Sequence, residues 1–243
     1  MMTQTQENSI TDYLVSKQLS VDLLVEIRDH MIDQIMDLQL EEKLDFEEAF
    51  SKVKESWKEE FIPVSYWMFF STPIPFIAKK IIRGKYNRFM KTSFLAGLVA
   101  FIINIVLIFI SNSQETYTVF FKLFNALFLF ILGTTWIMNF KIWKYLKTDF
   151  KYRGRCFYTM YQQNMGLMLI CTISMFQIIT KNGHYAYQFF REQNGANLLM
   201  IIITLIVPFI LQTGVIFTLL NFFEHKKSLL KMKDFLSINI SSK

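Results

Sequence analysis

The stretch TSFLAGLVAFIINIVLIFISNSQ, from Thr92 to Gln114, decides how the rest of the chain is read. It runs for 23 residues without a charged side chain, and 13 of the 17 residues from Phe94 to Ile110 are Leu, Ile, Val or Phe. A helix rises about 1.5 Å per residue, so roughly 20 residues cross the ~30 Å hydrocarbon core of a bilayer. At roughly −0.3 to −0.6 kcal/mol each, these apolar side chains favour insertion by about 4 to 8 kcal/mol, enough to carry Asn104 with them. Three further uncharged runs follow: Leu123 to Phe140 (18 residues), Cys156 to Thr180 (25) and Gln193 to Phe223 (31). A soluble fold would have to bury all four beneath a polar shell, and the chain has too little polar sequence to build one. The expected fold is therefore all-α. It comprises a small three-helix cytoplasmic module over residues 1–62, an interfacial connector over 63–91, and a bundle of four transmembrane helices at about 92–111, 119–140, 158–180 and 197–222. A basic amphipathic tail over 225–243 completes it.

Composition agrees with that division. Of 243 residues, 52% are apolar and 16% aromatic, with 8 Gly, 4 Pro and 2 Cys, which excludes disordered, collagen-like and disulfide-built chains. The net charge of +6 hides two opposed parts. Residues 1–62 carry 15 Asp plus Glu against 6 Lys plus Arg, and the remainder carries 20 basic residues against 5 acidic ones. Lys and Arg collect at Lys79–Lys91, Lys141–Arg155 and Lys226–Lys233, leaving the alternate loops nearly bare. The bias of short cytoplasmic loops toward positive charge then places both termini in the cytoplasm. The first sixty residues are polar and acidic, unlike a secretory signal. Cys156 and Cys171 would lie about 22 Å apart on one helix, too far for a disulfide, and belong to no metal or redox spacing.

A fifth uncharged stretch, Phe61 to Ala78, holds Pro63, Pro73 and Pro75 together with Tyr66, Trp67, Phe69 and Phe70. Proline interrupts helices, and Trp and Tyr favour the headgroup level, so this stretch is expected to lie in the interface rather than to enter the membrane. The tail from His225 to Leu236 sets Leu229, Met232 and Leu236 among lysines, a pattern suited to anionic lipid.

In the acidic part, Leu24, Ile27, Met31, Ile35 and Leu38 recur at three- and four-residue spacing and predict an amphipathic helix from Ser20. Asp45 with Glu48 has capping-box spacing, and Phe46, Ala49, Phe50, Val53 and Trp57 form the apolar stripe of the next helix. A short helix from about Ser9 to Gln18 adds Ile10, Tyr13 and Leu14. The runs EIRDHMIDQIMDL (Glu26 to Leu38) and LDFEEAFSKVKESW (Leu44 to Trp57) resemble the small HAAS-type helical domain found at the cytoplasmic N-terminus of bacterial membrane proteins. The match rests on Asp29, His30, Phe46, Glu47, Glu48, Ala49, Phe50 and Trp57, with Lys43 and Leu44 where the family often has Gly. The resemblance covers about a fifth of the chain. It implies membrane signalling, regulation or complex assembly in association with PadR-type transcriptional regulators and sometimes permeases, and the expected protein partner is a regulator of that type or an ABC ATPase. Asp29, His30, Phe46, Phe50 and Trp57 are the candidate interaction residues. A second copy of the chain is the alternative partner.

Within the spans, Asn104, Asn125, Gln177 and Gln212 are the candidate intramembrane polar contacts, with Gln162, Gln163 and Asn164 near the inner end of the third. Such groups hydrogen-bond between helices, typically for about 0.6 to 2 kcal/mol. The central portions contain no Asp, Glu, Lys, Arg or His, which argues against proton relays and buried acid or base catalysis. Ala96, Ala100, Gly97, Gly133, Gly166 and Gly214 offer small surfaces for close packing, and Pro208 is the candidate kink. His30, His184 and His225 stand alone, and no phosphate loop, nucleophile elbow or dinucleotide fingerprint occurs. No catalytic residue, cofactor, metal or nucleic acid is expected; the bilayer is. The expected function is non-catalytic signalling or assembly, the rival being a permease-like transporter subunit whose path uses the four amides. A narrower expectation is that the acidic module docks on the chain's own basic segment, Lys79 to Lys91.

Overall fold

The computed structural model describes residues 2–17, 19, 21–65, 73–139, 158–180, 183–192 and 198–241. Helix accounts for 88% of it and strand for almost none, so the fold is all-α. Eight α-helices occur among the described residues: α1 Gln4–Ser16, α2 Val21–Glu41, α3 Phe46–Ser56, α4 Phe76–Ile110, α5 Gln114–Met138, α6 Tyr158–Thr180, α7 His184–Tyr187 and α8 Leu198–Ser241. Strands β1 Pro63–Val64 and β2 Ile74–Pro75 pair antiparallel, Pro63 opposite Pro75 and Val64 opposite Ile74. Two of the prolines of the Phe61 to Ala78 stretch thereby face each other. Tyr66, Trp67, Phe69 and Phe70, the aromatic part of the interfacial expectation, lie outside the described residues, as do Cys156 and the basic cluster Lys141 to Arg155.

Among the described residues, three helices are long and apolar enough to cross a membrane: α4 (35 residues), α5 (25) and α8 over Leu199–Met232 (34). The sequence predicts four. The third predicted span coincides with α6, a 23-residue helix whose described apolar stretch, Gly166–Ile179, extends only about 21 Å at 1.5 Å per residue. Two helices also outrun their predicted spans. The sequence reading cut the first span at the lysines before Thr92 and the fourth at the charges after Phe223. A charge does not stop a helix, however, and no proline lies between Phe76 and Ile110 or between Phe209 and Ser241.

The chain divides into two compact units, the first holding the residues up to Lys85 and those from His225, the second most of what lies between. In the first unit α1, α2 and α3 form the acidic module. Thr3 and Gln6 make a reciprocal capping box that starts α1 at Gln4, ahead of the expected Ser9, a signal the apolar spacing does not carry. Asp45 accepts from the Glu48 amide at 2.9 Å and caps α3. Ile10 and Leu14 of α1, Ile27, Met31 and Ile35 of α2, and Ala49 and Val53 of α3 are buried and close the core. Aromatic rings complete it: Tyr13 meets Phe50 edge-on at 5.9 Å and Phe61 at 6.1 Å, and Phe46 stacks on Phe50 at 5.4 Å. Burial, and then the Glu55 carboxylate, push the Tyr13 phenol above its ordinary pKa. Between α2 and α3 the turn passes through Lys43 at φ 55°, the left-handed conformation that favours glycine. The glycine absent from the resemblance is missing where the backbone would use it.

Candidate functional site

The second unit turns its large apolar side chains outward. Ile102 (59% exposed), Leu123 (63%), Phe130 (68%), Ile170 (62%) and Ile210 (58%) cover its surface, while Asn104 (3%), Asn125 (0%) and Gln212 (0%) lie inside. Water drives the opposite arrangement, and a hydrocarbon solvent permits this one.

The inward face of α4 is built from Ser93, Gly97, Ala100, Asn104 and Ile108, spaced at three and four residues. Its small residues let α8 approach closely. A Cβ at Gly97 would come within 2.0 Å of Thr213 Oγ1 and 3.1 Å of Thr213 Cβ, and a Cβ at Gly214 would meet Cys171 Sγ of α6 at 2.8 Å. Gly133 and Gly166 have nothing within 4 Å and do not mark such contacts. Phe209 of α8 packs edge-on against both Phe94 and Phe101 of α4.

At this approach three carboxamides form a directional relay. Asn125 Nδ2 donates to its own helix at the Phe121 carbonyl (2.8 Å), leaving Asn125 Oδ1 to accept from Gln212 Nε2 at 3.0 Å. Gln212 Oε1 then accepts from Asn104 Nδ2 at 3.3 Å, and the same nitrogen donates to the Ala100 carbonyl at 3.2 Å. Each bond dictates the orientation of the next amide, so the polarity of the row is set by the Phe121 carbonyl. The row ends at Asn104 Oδ1, a buried acceptor without a hydrogen-bond partner. Apolar clusters lie on both sides along the helices: Ile108, Tyr117, Phe121, Ala186 and Tyr187 on one, and Leu132, Met168, Cys171, Met175 and Val215 on the other.

No protein-family model, curated protein or solved structure matches the chain. The site is therefore read from its own chemistry. The relay is neutral throughout, and no three His, Cys, Asp or Glu side chains cluster among the described residues.

Three of the four predicted intramembrane amides are thus brought together, and Gln177 is not, being exposed on α6. It falls six residues beyond the buried Cys171, which turns it away from the face that meets α8. The side chains of Gln162, Gln163 and Asn164 lie outside those described. Pro208 is buried one turn before Gln212, and α8 runs through it without interruption. Among the candidate interaction residues of the module, Asp29 and His30 are exposed on α2, but Phe46 (8%), Phe50 (6%) and Trp57 (9%) are core. Trp57 Nε1 donates to Gln34 at 2.6 Å, tying α3 to α2. The resemblance offers these three for recognition, but here they belong to the apolar stripe that closes the module on itself.

Two features escaped the sequence reading. Ser113 accepts from the Thr116 amide and starts α5 at Gln114, so Lys122 lies two turns inside the helix, half-buried, rather than at the edge of a loop. The Ser-x-x-Thr spacing was the available signal. The other is that the first spanning helix already begins at Phe76, so that its start lies in the first unit. Its Ile77, Ala78 and Ile82 are buried, Lys85 pairs with Glu26 at 3.0 Å, Lys80 pairs with Glu60 at 3.3 Å, and Lys79 donates to the Ser65 carbonyl at 3.3 Å. The basic stem of α4 thus meets acids of the module, as the expected self-docking requires for Lys80 and Lys85.

Proposed function

We propose that the protein is a multi-pass helical protein of the bacterial inner membrane, with α6 as a fourth span and both termini cytoplasmic. In this reading its acidic, HAAS-like module makes regulatory or assembly contacts and carries out no catalysis. The observation that carries this reading is the pairing of Glu26 with Lys85 and Glu60 with Lys80 on a helix that continues into an apolar span. A module tied to the stem of a spanning helix can pass a binding event to that helix or receive one from it. Its exposed α2 face, including Asp29, His30, Asp33 and Asp37, remains available to a PadR-type regulator, an ATPase or a second copy. The alternation of basic and bare loops supports the orientation.

The rival reading, a transporter subunit, draws on the same amides. The relay favours the first, because its members bond to one another between two apolar clusters, and Gln177 stands outside the row.

Reporter fusions at the N-terminus, at Asn112 and at the C-terminus test the topology: both ends report cytoplasm and Asn112 the opposite side, and an external N-terminus sinks it. Deleting residues 2–58 tests the role. The bundle should still insert while co-purification with a PadR-type regulator or an ABC ATPase of the same cell disappears. Retained association without the module, or a flux defect on replacing Asn104, Asn125 and Gln212 by Leu, would favour the rival.

A further inference from the structure

Helix α4 is anchored by buried side chains on either side of a bare segment. Ile77, Ala78 and Ile82 are buried before it, and Phe89, Ser93 and Gly97 after it, whereas none of the six residues from Arg83 to Arg88 is buried. The boundary between the two compact units falls inside this segment, after Lys85. Gly84 lies there too, exposed and helical, and a Cβ added to it would meet nothing within 4 Å. Alanine would therefore fit, and in an exposed helix interior alanine is the more stable choice. Gly97 of the same helix is required by Thr213; no neighbour requires Gly84. What glycine supplies at that position is backbone freedom, at a point where side-chain packing is thin.

Two ion pairs straddle the glycine. Glu60 holds Lys80, four residues before it, at 3.3 Å, and Glu26 holds Lys85, the residue after it, at 3.0 Å. The near side is also fixed by Ile77, Ala78 and Ile82, so the Glu26 pair is the contact that grips α4 beyond Gly84 at the very edge of the first unit. We propose that Gly84 is a pivot in α4 and that the Glu26–Lys85 pair is its latch. With the pair made, the helix runs unbroken through Gly84; with the pair released, the helix beyond Gly84 swings against its buried stem. Glu26 stands within one turn of the exposed Asp29 and His30 on α2, and its own side chain is 34% exposed. A cationic side chain brought to that face competes with Lys85 for the Glu26 carboxylate and opens the latch. This regulatory use rests on the reading that the module binds a partner. The pivot and latch do not, and their test needs no partner.

Pulsed electron paramagnetic resonance on the full chain in lipid nanodiscs tests them, with nitroxides on Glu47→Cys and Ile102→Cys in a chain carrying Cys156→Ala and Cys171→Ala. Glu26→Gln, or raised salt, should broaden the distance distribution. Gly84→Ala should narrow it, and Glu26→Gln should then broaden it less than in the presence of Gly84. A width that ignores Glu26→Gln, or that broadens equally with and without Gly84, overturns the proposal. Should the cysteine-free chain not fold, hydrogen exchange of the unlabelled chain decides. Gly84→Ala should slow the amides of Lys85 to Arg88 about two- to fivefold. Glu26→Gln should speed them by up to about fivefold, and by less in the Gly84→Ala background. Equal acceleration in both backgrounds, or none, refutes the latch.

Discussion

Gly97 and Lys43 are two positions where the identity of one side chain governs a backbone. At Gly97 the added methyl of Gly97→Ala collides with Thr213 Oγ1 and Cβ, so α4 and α8 must separate or Thr213 must turn. Overpacking of this kind destabilises by about 1 to 3 kcal/mol. Thermal unfolding in detergent should show it, with Gly133→Ala and Gly166→Ala as controls that leave the midpoint unchanged or raise it, since their surroundings are open. Lys43 presents the reverse case. A side chain at φ 55° is strained, and Lys43→Gly relieves the strain while making the unfolded chain more flexible. The balance favours glycine by roughly 0.5 to 1 kcal/mol. Hydrogen exchange across the turn between α2 and α3 should slow in that variant, and unchanged or faster exchange would contradict the conformation.

At the scale of elements, the relay ties α4, α5 and α8 through a row whose members are not independent. Asn125→Leu leaves Gln212 Nε2 without its acceptor, which should destabilise the bundle by about 1 to 3 kcal/mol. Gln212→Leu in that background should add less than it does alone, with a coupling of about 0.6 to 2 kcal/mol in a double-mutant cycle. Strict additivity would deny the bond. This row also shows how far the sequence could be read. The uncharged runs announced α4, α5 and α8 because hydrocarbon imposes a length and a polarity on any segment that crosses it. Asn104, Asn125 and Gln212 were conspicuous as polar residues in apolar surroundings. Their partnership was not, because it depends on the rotation of three helices about their own axes, and Gln177 looked equivalent in sequence yet faces outward. Helix ends obey other signals than the charges that bound the uncharged runs: caps at Thr3 and Ser113 start α1 and α5, and α4 has no breaker between Phe76 and Ile110.

For the molecule as a whole, the division into acidic and basic parts has a measurable consequence. The Glu26–Lys85 and Glu60–Lys80 pairs are only partly shielded from solvent, and such contacts weaken as salt rises past physiological strength, where the Debye length is about 8 Å. A zero-length carbodiimide cross-link between Glu26 and Lys85 should form at low ionic strength and fade as salt is raised. Glu26→Lys should abolish it, and Glu26→Lys with Lys85→Glu should restore it. A yield that ignores both salt and charge reversal would mean that the buried Ile77, Ala78 and Ile82 hold the stem unaided.

The order of these charges along the chain also bears on biosynthesis. The acids of the module are translated before the lysines they meet, 59 residues ahead in one pair and 20 in the other. When the α4 stem emerges from the ribosome, its counter-charges are already waiting in a folded or folding domain, while the apolar stretch from Phe94 to Ile110 has still to follow. In the proposed orientation, pairing with the module would hold the stem on the side of synthesis while the span behind it inserts, a brake on translocation built into the order of the charges.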